Sequence, residues 1–301
     1  MTASKPPVQH QHFLRETLAG TTFVKITGPT GDWIVFYDTS TAQSLTEAQV
    51  IALCNRRSGI GAVGVVAVTS EQQPTADVTY RMAAWQANGQ PAHNVTEPAR
   101  AATSVLAVLN KIPLNETSHH VFDTAVGVVT TVYTPSYIGV DIGQWCYTAP
   151  ETAEAAGSDV FVMAAGLTDP RPGLSLQLEN THITIAVESE EELENIDLNQ
   201  QPSIEPAVTS PTSVSFVTPQ DPLLQDGMGQ LKLRHHSDES SNAELASACA
   251  AATVAFQTWA GLKQLNIWKV TTPHGDIVVQ LHEQHRLSTF AKLSSVFFGQ
   301  L

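Results

Sequence analysis

The segment LCNRRSGIGAVG, residues 53–64, joins a predicted helix to a predicted strand and carries three glycines in its second half. The preceding residues 44–55 repeat apolar side chains at helical spacing, which predicts a helix ending in this segment. The following residues 63–68 form a short apolar run that is typical of a buried strand. A glycine loop that binds dinucleotides follows a strand and opens a helix. Because the order is reversed here, the segment predicts a scaffold turn and no nucleotide site.

The composition indicates a chain with a large apolar core and a negative net charge. The chain has 301 residues, of which 42% are apolar, so it is long enough for a large core and for two domains. Acidic residues outnumber basic ones by 29 to 15, and the formal net charge is −14. Nucleic acids and anionic membranes require a basic face, so neither is an expected partner.

Cysteine usage and the absence of targeting patterns indicate the compartment. Three cysteines, Cys54, Cys146 and Cys249, are too few for a disulfide framework in a chain of this size, and their spacings match no metal motif. The first residues lack the apolar stretch of a signal peptide, and no apolar run has the length of a membrane span. We therefore expect a cytoplasmic protein in which Cys54 and Cys249 are buried. The sequence does not decide whether Cys146 is buried or exposed.

Two alanine-rich segments organise the rest of the chain. Residues 99–109 and 243–262 are small or apolar on most faces, which predicts two buried helices. Residues 189–197 predict an acidic helix with Ser189 as its N-cap. Predicted strands precede and follow each alanine-rich helix, near residues 23–38, 63–68, 77–87, 121–132, 139–142, 174–178, 183–187, 214–217, 230–235, 267–271, 276–282 and 287–301. This element order is a weak internal duplication and predicts an α+β fold.

Several motifs in this order resemble the diaminopimelate epimerases of actinobacterial type. Residues 53–64 match the family pattern LCDRR-x-GIGADG closely, and Arg100 matches the arginine just inside its first central helix. Weaker matches that fall in the same order are Gln86-Ala-Asn-Gly89 to NADG, Asn180-Thr-His182 to GNPH, and residues 273–279 to PGG-x-V-x-V.

The resemblance implies two pseudo-symmetric domains, each with a sheet wrapped around a central helix. The N-terminal domain would cover residues 13–143 plus 287–301, and the C-terminal domain residues 144–286. It also implies an active site in the cleft between the domains, where one cysteine at the N-terminus of each central helix exchanges the α-proton of the substrate. Helix N–H groups there bind the substrate carboxylate, and the chemistry needs neither PLP nor a metal, so no cofactor is expected.

The first catalytic position departs from the family pattern. Its CGNG-x-R becomes residues 95–100, with Val95 in place of the cysteine. Valine has no exchangeable proton, and Pro98 removes one backbone N–H from the anion site. Thr96 is a good N-cap, and proline is tolerated in a first turn. We expect this helix end to be capped from within the protein.

The second catalytic position also lacks a thiol. Glu244 replaces the cysteine, and a match shifted by one residue places Ala243 there instead. Ser241 and Glu244 have the spacing of a capping box, which predicts that this helix end is also satisfied internally.

Most other substrate contacts of the family are altered as well. Gly31, Gln86 and Ser213 stand where the family has asparagines, and His235-His236 stand where it has a Glu-Arg pair. Asn180 and His182 keep the family residue. The predicted ligand-binding residues of the cleft are Gln86, Asn180, His182, Ser213 and His235.

New acid–base groups are available near these positions. Glu97 and Glu244 would face each other across the cleft, and a carboxylate pair can perform acid–base catalysis when its two pKa values are split. The simpler interpretation is that both acids stabilise helix N-termini. His182, His235 and His236 with one of these acids would offer zinc ligands, but the spacing matches no zinc motif. Since neighbouring strand residues point to opposite faces, at most one of His235 and His236 enters the cleft, and no metal is predicted.

The sequence supports three alternative hypotheses for the function. The first is a diaminopimelate epimerase-like pseudoenzyme that binds a small molecule in the cleft or regulates an active epimerase by pairing with it. The second is an isomerase or racemase that uses Glu97, Glu244 or His182 on a different substrate. The third is a diaminopimelate epimerase of lysine biosynthesis, as overall similarity suggests, which the loss of both thiols disfavours. A homodimer is an expectation from the resemblance alone.

Overall fold

The computed structural model describes residues 18–38, 44–75, 78–208, 212–236 and 244–301. Contacts between Cα atoms divide the chain into two compact units. Unit 1 comprises residues 1–140 and 293–301, and unit 2 comprises residues 141–292. In the described residues, no helix is both long enough and apolar enough to cross a membrane.

Among the described residues, seven strands and the first part of an eighth, β7, belong to unit 1 and form parallel and antiparallel pairs. They are β1 (Thr22–Gly28), β2 (Gly31–Tyr37), β3 (Gly64–Thr75), β4 (Val78–Gln86), β5 (Ser118–Thr124), β6 (Gly127–Tyr133), β7 (Ile138–Gln144) and β18 (Ser294–Gln300). The pairing order is β18-β1-β2-β3-β4-β5-β6-β7. The pairs β2–β3 and β4–β5 are parallel, because a helix or a long connection separates each pair along the chain.

In the described part of unit 1, two helices pack on the two faces of this sheet. Helix α1 (Glu47–Cys54) begins with a capping box between Thr46 and Gln49 and packs on one face. Helix α2 (Thr96–Val108) packs on the other face, among side chains such as Val66, Met82 and Phe122. Almost every residue of α2 is buried, because its alanines and other small residues let strands approach from several sides.

The turn after α1 is held by charged groups and by close packing. Asp32 pairs with Lys25 at 3.0 Å and receives two hydrogen bonds from Arg56. Burial raises the pKa of Asp32, but the hydrogen bonds from Arg56 and Lys25 outweigh it and hold that pKa below its ordinary value. A Cβ atom on Gly64 would lie 2.3 Å from the ring of Trp33, so glycine is required at this point. The turn therefore has the scaffold role that its sequence predicts.

The described strands of unit 2 also form both parallel and antiparallel pairs. They are β8 (Cys146–Tyr147), β9 (Val160–Met163), β10 (Arg171–Gln177), β11 (Thr181–Ala186), β12 (Ser203–Glu205), β13 (Thr212–Gln225), β14 (Met228–His236), β15 (Ile267–Thr272), β16 (Gly275–Leu281) and β17 (Arg286–Ala291). The pairing order is β12-β9-β10-β11-β13-β14-β15-β16-β17, with β8 beside the end of β10. The pairs β11–β13 and β14–β15 are parallel.

The described residues of unit 2 include three α-helices. Helix α3 (Pro150–Ala156) is short and mostly exposed, and helix α4 (Glu190–Asn195) begins at Ser189, whose side chain accepts a hydrogen bond from the backbone of Glu192. Helix α5 (Leu245–Ala260) packs against β11 and β13 and is buried along most of its length. Its alanines pack with leucines of β10 and β14 in the main core of this unit.

The structure confirms the α+β class and both alanine-rich helices, and it corrects several details. Thr96 is the first residue of α2 and Val95 is its N-cap, so the prediction of Thr96 as N-cap is wrong. Residues 287–301 form two strands, β17 and β18, separated at Lys292 and Leu293. The predicted capping residue Ser241 lies outside the described residues. The short strands β8, β9 and β12 had no counterpart in the sequence pattern.

Candidate functional site

One backbone donor at the start of α2 is bound within unit 1. Val95 precedes the helix and makes no side-chain capping bond. The backbone N–H of Thr96 donates to Oδ1 of Asn94 at 2.9 Å. Pro98 has no N–H to offer, and it is buried. The first turn of α2 therefore has fewer free donors for an anion than an ordinary helix start.

Glu97 turns into the interior of unit 1. Its side chain is 3% exposed, and its Oε2 accepts a hydrogen bond of 2.6 Å from Thr30. Nε of Arg100 lies 3.3 and 3.1 Å from the two carboxylate oxygens, and Nη2 lies 3.0 Å from Oε1. Nη1 of Arg100 donates to the backbone oxygen of Ile138. These contacts use both oxygens of Glu97 in a buried ion pair, so the carboxylate has no free acceptor face for a substrate proton.

Gln86 occupies the end of β4. It pairs with Gly64 of β3, and its backbone N–H donates to the oxygen of Gln90 at 2.9 Å. It is half-buried, at the start of the turn that contains Gly89. The structure thus places Gln86 in the turn that the NADG resemblance predicts.

The start of α5 has a different arrangement. Glu244 is the residue directly before the helix, and within the described chain its carboxylate makes no capping bond to the helix. Instead, the side-chain amide of Asn180 donates to Oε1 of Glu244. The hydroxyl of Ser247 donates to the backbone oxygen of Glu244 at 2.9 Å. Two predicted site residues, Asn180 and Glu244, are therefore in direct contact.

Three further predicted residues meet on the sheet beneath α5. His182 of β11 pairs with Ser213 of the parallel strand β13, and the hydroxyl of Ser213 lies 2.9 Å from Nδ1 of His182. The same hydroxyl lies 3.3 Å from Nδ1 of His235 on β14. Ser215 also lies 3.3 Å from that Nδ1. His182, Ser213 and His235 therefore form one hydrogen-bonded group.

Burial keeps both imidazoles neutral. His182 is 1% exposed, and burial lowers its pKa from 6.5 to about 4. Burial also lowers the pKa of His235, to about 3, with repulsion from His182, His236 and His274 adding to the effect. At neutral pH each ring has one N–H donor and one nitrogen lone pair.

His236 points away from this group. Its Nδ1 lies 2.9 Å from the backbone oxygen of Leu198. The two adjacent histidines therefore lie on opposite faces of the sheet, as alternation along a strand requires. The described part of the chain contains no group of three or more histidine, cysteine, aspartate or glutamate side chains arranged to hold a metal ion.

None of the three cysteines lies at the start of α2 or α5. Cys54 and Cys249 are buried, as predicted, and Cys146 is exposed in β8. Burial raises the pKa of the Cys54 thiol to about 12, a shift to which nearby Asp32 adds. A thiol with so high a pKa is not a nucleophile at neutral pH.

Comparison with solved structures defines the class of fold. The chain has a sheet-rich α+β fold similar to those of a PhzF-family protein, a probable proline racemase and a predicted epimerase. No protein-family model matches the sequence.

Three similar structures illustrate the range of this class. The PhzF-family phenazine biosynthesis protein of Bacillus anthracis has a TM-score of 0.62 at 12% identity, over 93% of this chain and 98% of that one. A predicted epimerase of Pseudomonas aeruginosa has a TM-score of 0.59 at 13% identity, over 93% and 99% of the two chains. A probable proline racemase of Agrobacterium radiobacter has a TM-score of 0.59 at 8% identity, over 93% and 92%. At these identities the likeness shows the fold alone.

Sequence reasoning missed three polar residues of these groups. Thr30 binds Glu97, Ser215 binds His235, and Thr184 lies beside Ser215 on the neighbouring strand. The alternation of strand residues was a usable signal for Ser215, because it lies two residues after Ser213 and therefore on the same face. Thr30 lies 67 residues before Glu97, and no local pattern connects the two.

Proposed function

We propose that this chain is a diaminopimelate epimerase-like pseudoenzyme, which binds a small molecule or regulates an active epimerase and lacks two-thiol chemistry. The observation that carries the proposal is the identity of the two residues directly before the central helices, Val95 and Glu244. In the resembling family these positions hold the two catalytic cysteines. Neither side chain can act as a thiolate base.

The surroundings of both positions support this proposal. Pro98 removes a donor at the first helix start, and Asn94 takes the N–H of Thr96. At the second, Glu244 brings a negative charge to a helix start that would otherwise attract the carboxylate of an amino acid. The cysteines that the chain retains lie elsewhere, and two of them are buried. Loss of the thiols is thus accompanied by loss of the features that would bind and ionise the substrate.

The test is exchange of α-hydrogen from LL-diaminopimelate into deuterated water, followed by mass spectrometry. We expect no exchange above the rate without protein, whereas an epimerase that has both cysteines exchanges rapidly under the same conditions. Exchange by this protein at an ordinary enzymatic rate contradicts the proposal.

A matched variant separates the missing thiols from the rest of the site. Val95→Cys with Glu244→Cys restores both thiols and leaves Pro98 in place. If this double variant gains exchange activity, the two positions correspond to the catalytic ones and the thiols alone were missing. If it stays inactive while remaining folded, the altered helix starts also prevent catalysis.

A second candidate function is an isomerase or racemase with new acid–base residues acting on a different substrate. Glu244 and His182 favour it, because the carboxylate of Glu244 accepts a hydrogen bond from Asn180, and Asn180 precedes His182 of β11 by two residues. Glu97 does not favour it, because Arg100 and Thr30 occupy its carboxylate.

Replacement of single residues tests this second function once a substrate is found. Glu244→Gln is expected to abolish a carboxylate-dependent activity, and Glu97→Gln is expected to change stability instead. An activity that survives Glu244→Gln and His182→Gln unchanged rules out both residues as its acid–base groups.

A further inference from the structure

A row of polar side chains interrupts the apolar core of unit 2. His182 and Thr184 are paired with Leu176 and Leu174 on β10, whose side chains belong to the core around α5. Cross-strand partners share a face, so both polar residues face the helix. Ser213, Ser215 and His235 continue the row on β13 and β14.

Three atoms in this row have no hydrogen-bond partner within the described chain. They are Nε2 of His182, Nε2 of His235 and Oγ1 of Thr184, and all three are shielded from solvent. Buried polar atoms in native proteins nearly always have a partner, so a group of three such atoms requires an explanation. The apolar neighbours on β10 supply none.

Ser213 couples the protonation of the two rings. Its hydroxyl has one proton and lies within hydrogen-bond distance of Nδ1 on both histidines. One arrangement that satisfies all three groups has Ser213 donating to Nδ1 of His182 and accepting from the N–H at Nδ1 of His235, for which Ser215 is a second acceptor. The first ring then carries its proton on Nε2, and the second ring presents a lone pair there. In this arrangement the two unpartnered Nε2 atoms are one donor and one acceptor.

We propose that His182, Ser213 and His235 form a binding site in unit 2 for an uncharged group that both donates and accepts a hydrogen bond, the carboxamide or hydroxyl of a small ligand. The proposal rests on the proposed function, because it assigns a ligand class to the binding site of a protein without thiol chemistry. Thr184 adds a third polar atom to the same site.

Charge argues against the ligands that the resembling family would suggest. A carboxylate only accepts hydrogen bonds, and one of the two Nε2 atoms offers it a lone pair. Burial also lowers the pKa of both rings, so neither is an imidazolium that would attract an anion at neutral pH. The carboxylate of Glu244, held by Asn180 two residues before His182, adds further repulsion.

The same geometry argues against a metal ion. A transition metal would need the lone pair of both Nε2 atoms, which requires both Nδ1 atoms to be protonated. No third metal ligand accompanies the two histidines among the residues that the structure describes.

His235 lies nearer to solvent than His182, because His235 is only partly buried and His182 is 1% exposed. The Nε2 atoms of both rings are shielded.

The first experiment measures the tautomers by long-range ¹H–¹⁵N correlation spectra of the uniformly ¹⁵N-labelled full chain. We expect one of His182 and His235 as the Nδ1–H form and the other as the Nε2–H form. Ser213→Ala is expected to remove this coupling, and Ser213→Thr, which keeps a hydroxyl, is expected to restore it. His282 is the internal control, because its Nε2 already lies 2.9 Å from the hydroxyl of Ser288.

The second experiment titrates the labelled protein with acetamide, acetate and Zn²⁺, each alone. Acetamide and acetate have the same shape and differ in charge and in their donors. We expect acetamide to shift the ring nitrogens of both His182 and His235 and to leave His282 unchanged, while acetate shifts neither. Ser213→Ala is expected to bind acetamide roughly tenfold more weakly, the effect of about one hydrogen bond.

Several results overturn the proposal. Two Nε2–H rings contradict the coupling through Ser213, and stronger binding of acetate or Zn²⁺ assigns the site to an anion or a metal. If the two rings have the expected tautomers but acetamide shifts neither of them, an internal water fills the site and the proposal is wrong. All these readouts are independent of diaminopimelate exchange, so the proposed function can fail or stand separately.

Discussion

Replacing Glu97 by glutamine is expected to destabilise unit 1 strongly. Glu97 and Arg100 are 3% and 1% exposed at their side chains, and their charges neutralise each other inside the core. Glutamine keeps the size of the side chain and an acceptor for Thr30, but it leaves the guanidinium of Arg100 without a counter-charge. Removal of one partner from a buried ion pair costs about 3–5 kcal/mol. Because one hydrogen bond to Thr30 can persist, we expect about 3 kcal/mol for Glu97→Gln.

A double-mutant cycle isolates the ion pair from the other changes. Arg100→Met also leaves the carboxylate unpaired and removes the hydrogen bond to the oxygen of Ile138, so we expect a cost at least equal to that of Glu97→Gln. The double variant contains no buried charge and is expected to be more stable than the sum of the single effects predicts, by about 2–3 kcal/mol.

Hydrogen exchange followed by mass spectrometry localises the effect. Peptides from α2 should lose protection in both single variants, while peptides from α5 in unit 2 serve as the control within the same molecule. The reasoning is refuted if Glu97→Gln exchanges like the unaltered protein, or if the double variant is as unstable as the two single costs added together.

Three other changes have expected outcomes. Asp32→Asn should reduce the free energy of unfolding at neutral pH. The pKa of Asp32 is lower in the folded protein than its ordinary value of 3.8, so its carboxylate stabilises the fold only while it is ionised. The stability difference between the variant and the unaltered protein should therefore disappear as the pH falls below 3.8, and urea midpoints measured against pH test this. Gly229→Ala should cost about 2 kcal/mol in thermal or urea unfolding, because the new Cβ would lie 2.1 Å from the ring of Trp268. His182→Gln should make the free energy of unfolding depend less on pH between 6.5 and 4. In this range the unfolded chain binds a proton at His182, whereas the folded protein, with a pKa of about 4, does not. The unaltered protein therefore loses about 3 kcal/mol of stability over this range, which urea unfolding at several pH values measures.

Much of the scaffold follows from local sequence patterns. The alanine-rich segments predict both central helices, and alternating or continuous apolar runs predict the longer strands, because burial repeats along the chain with the period of the element. The strands β8, β9 and β12 have only two to four residues, too few for a period to appear. Thr96 was a plausible N-cap by residue type, but Asn94 takes its N–H, and the helix then starts one residue earlier.

The candidate site was only partly accessible to the same reasoning. The family resemblance selected both Asn180 and Glu244 as candidate site residues, and the structure shows their side chains in contact. The burial of Glu97 was not predictable from its position, because Thr30 and the strand around Ile138 come from distant parts of the chain. The coupling of two imidazoles by Ser213 depends on the register between three strands, which no local pattern determines.

The two central helices contain small side chains on nearly every face, so enlarging almost any residue within them would push neighbouring strands apart. The residues directly before the helices are under no such constraint, since Val95 and Glu244 are only partly buried. Under the proposed function, this arrangement separates the positions where packing is fixed from the two positions that would carry the chemistry. New reactivity, or its loss, can then arise through one substitution at each helix start while the scaffold keeps its shape.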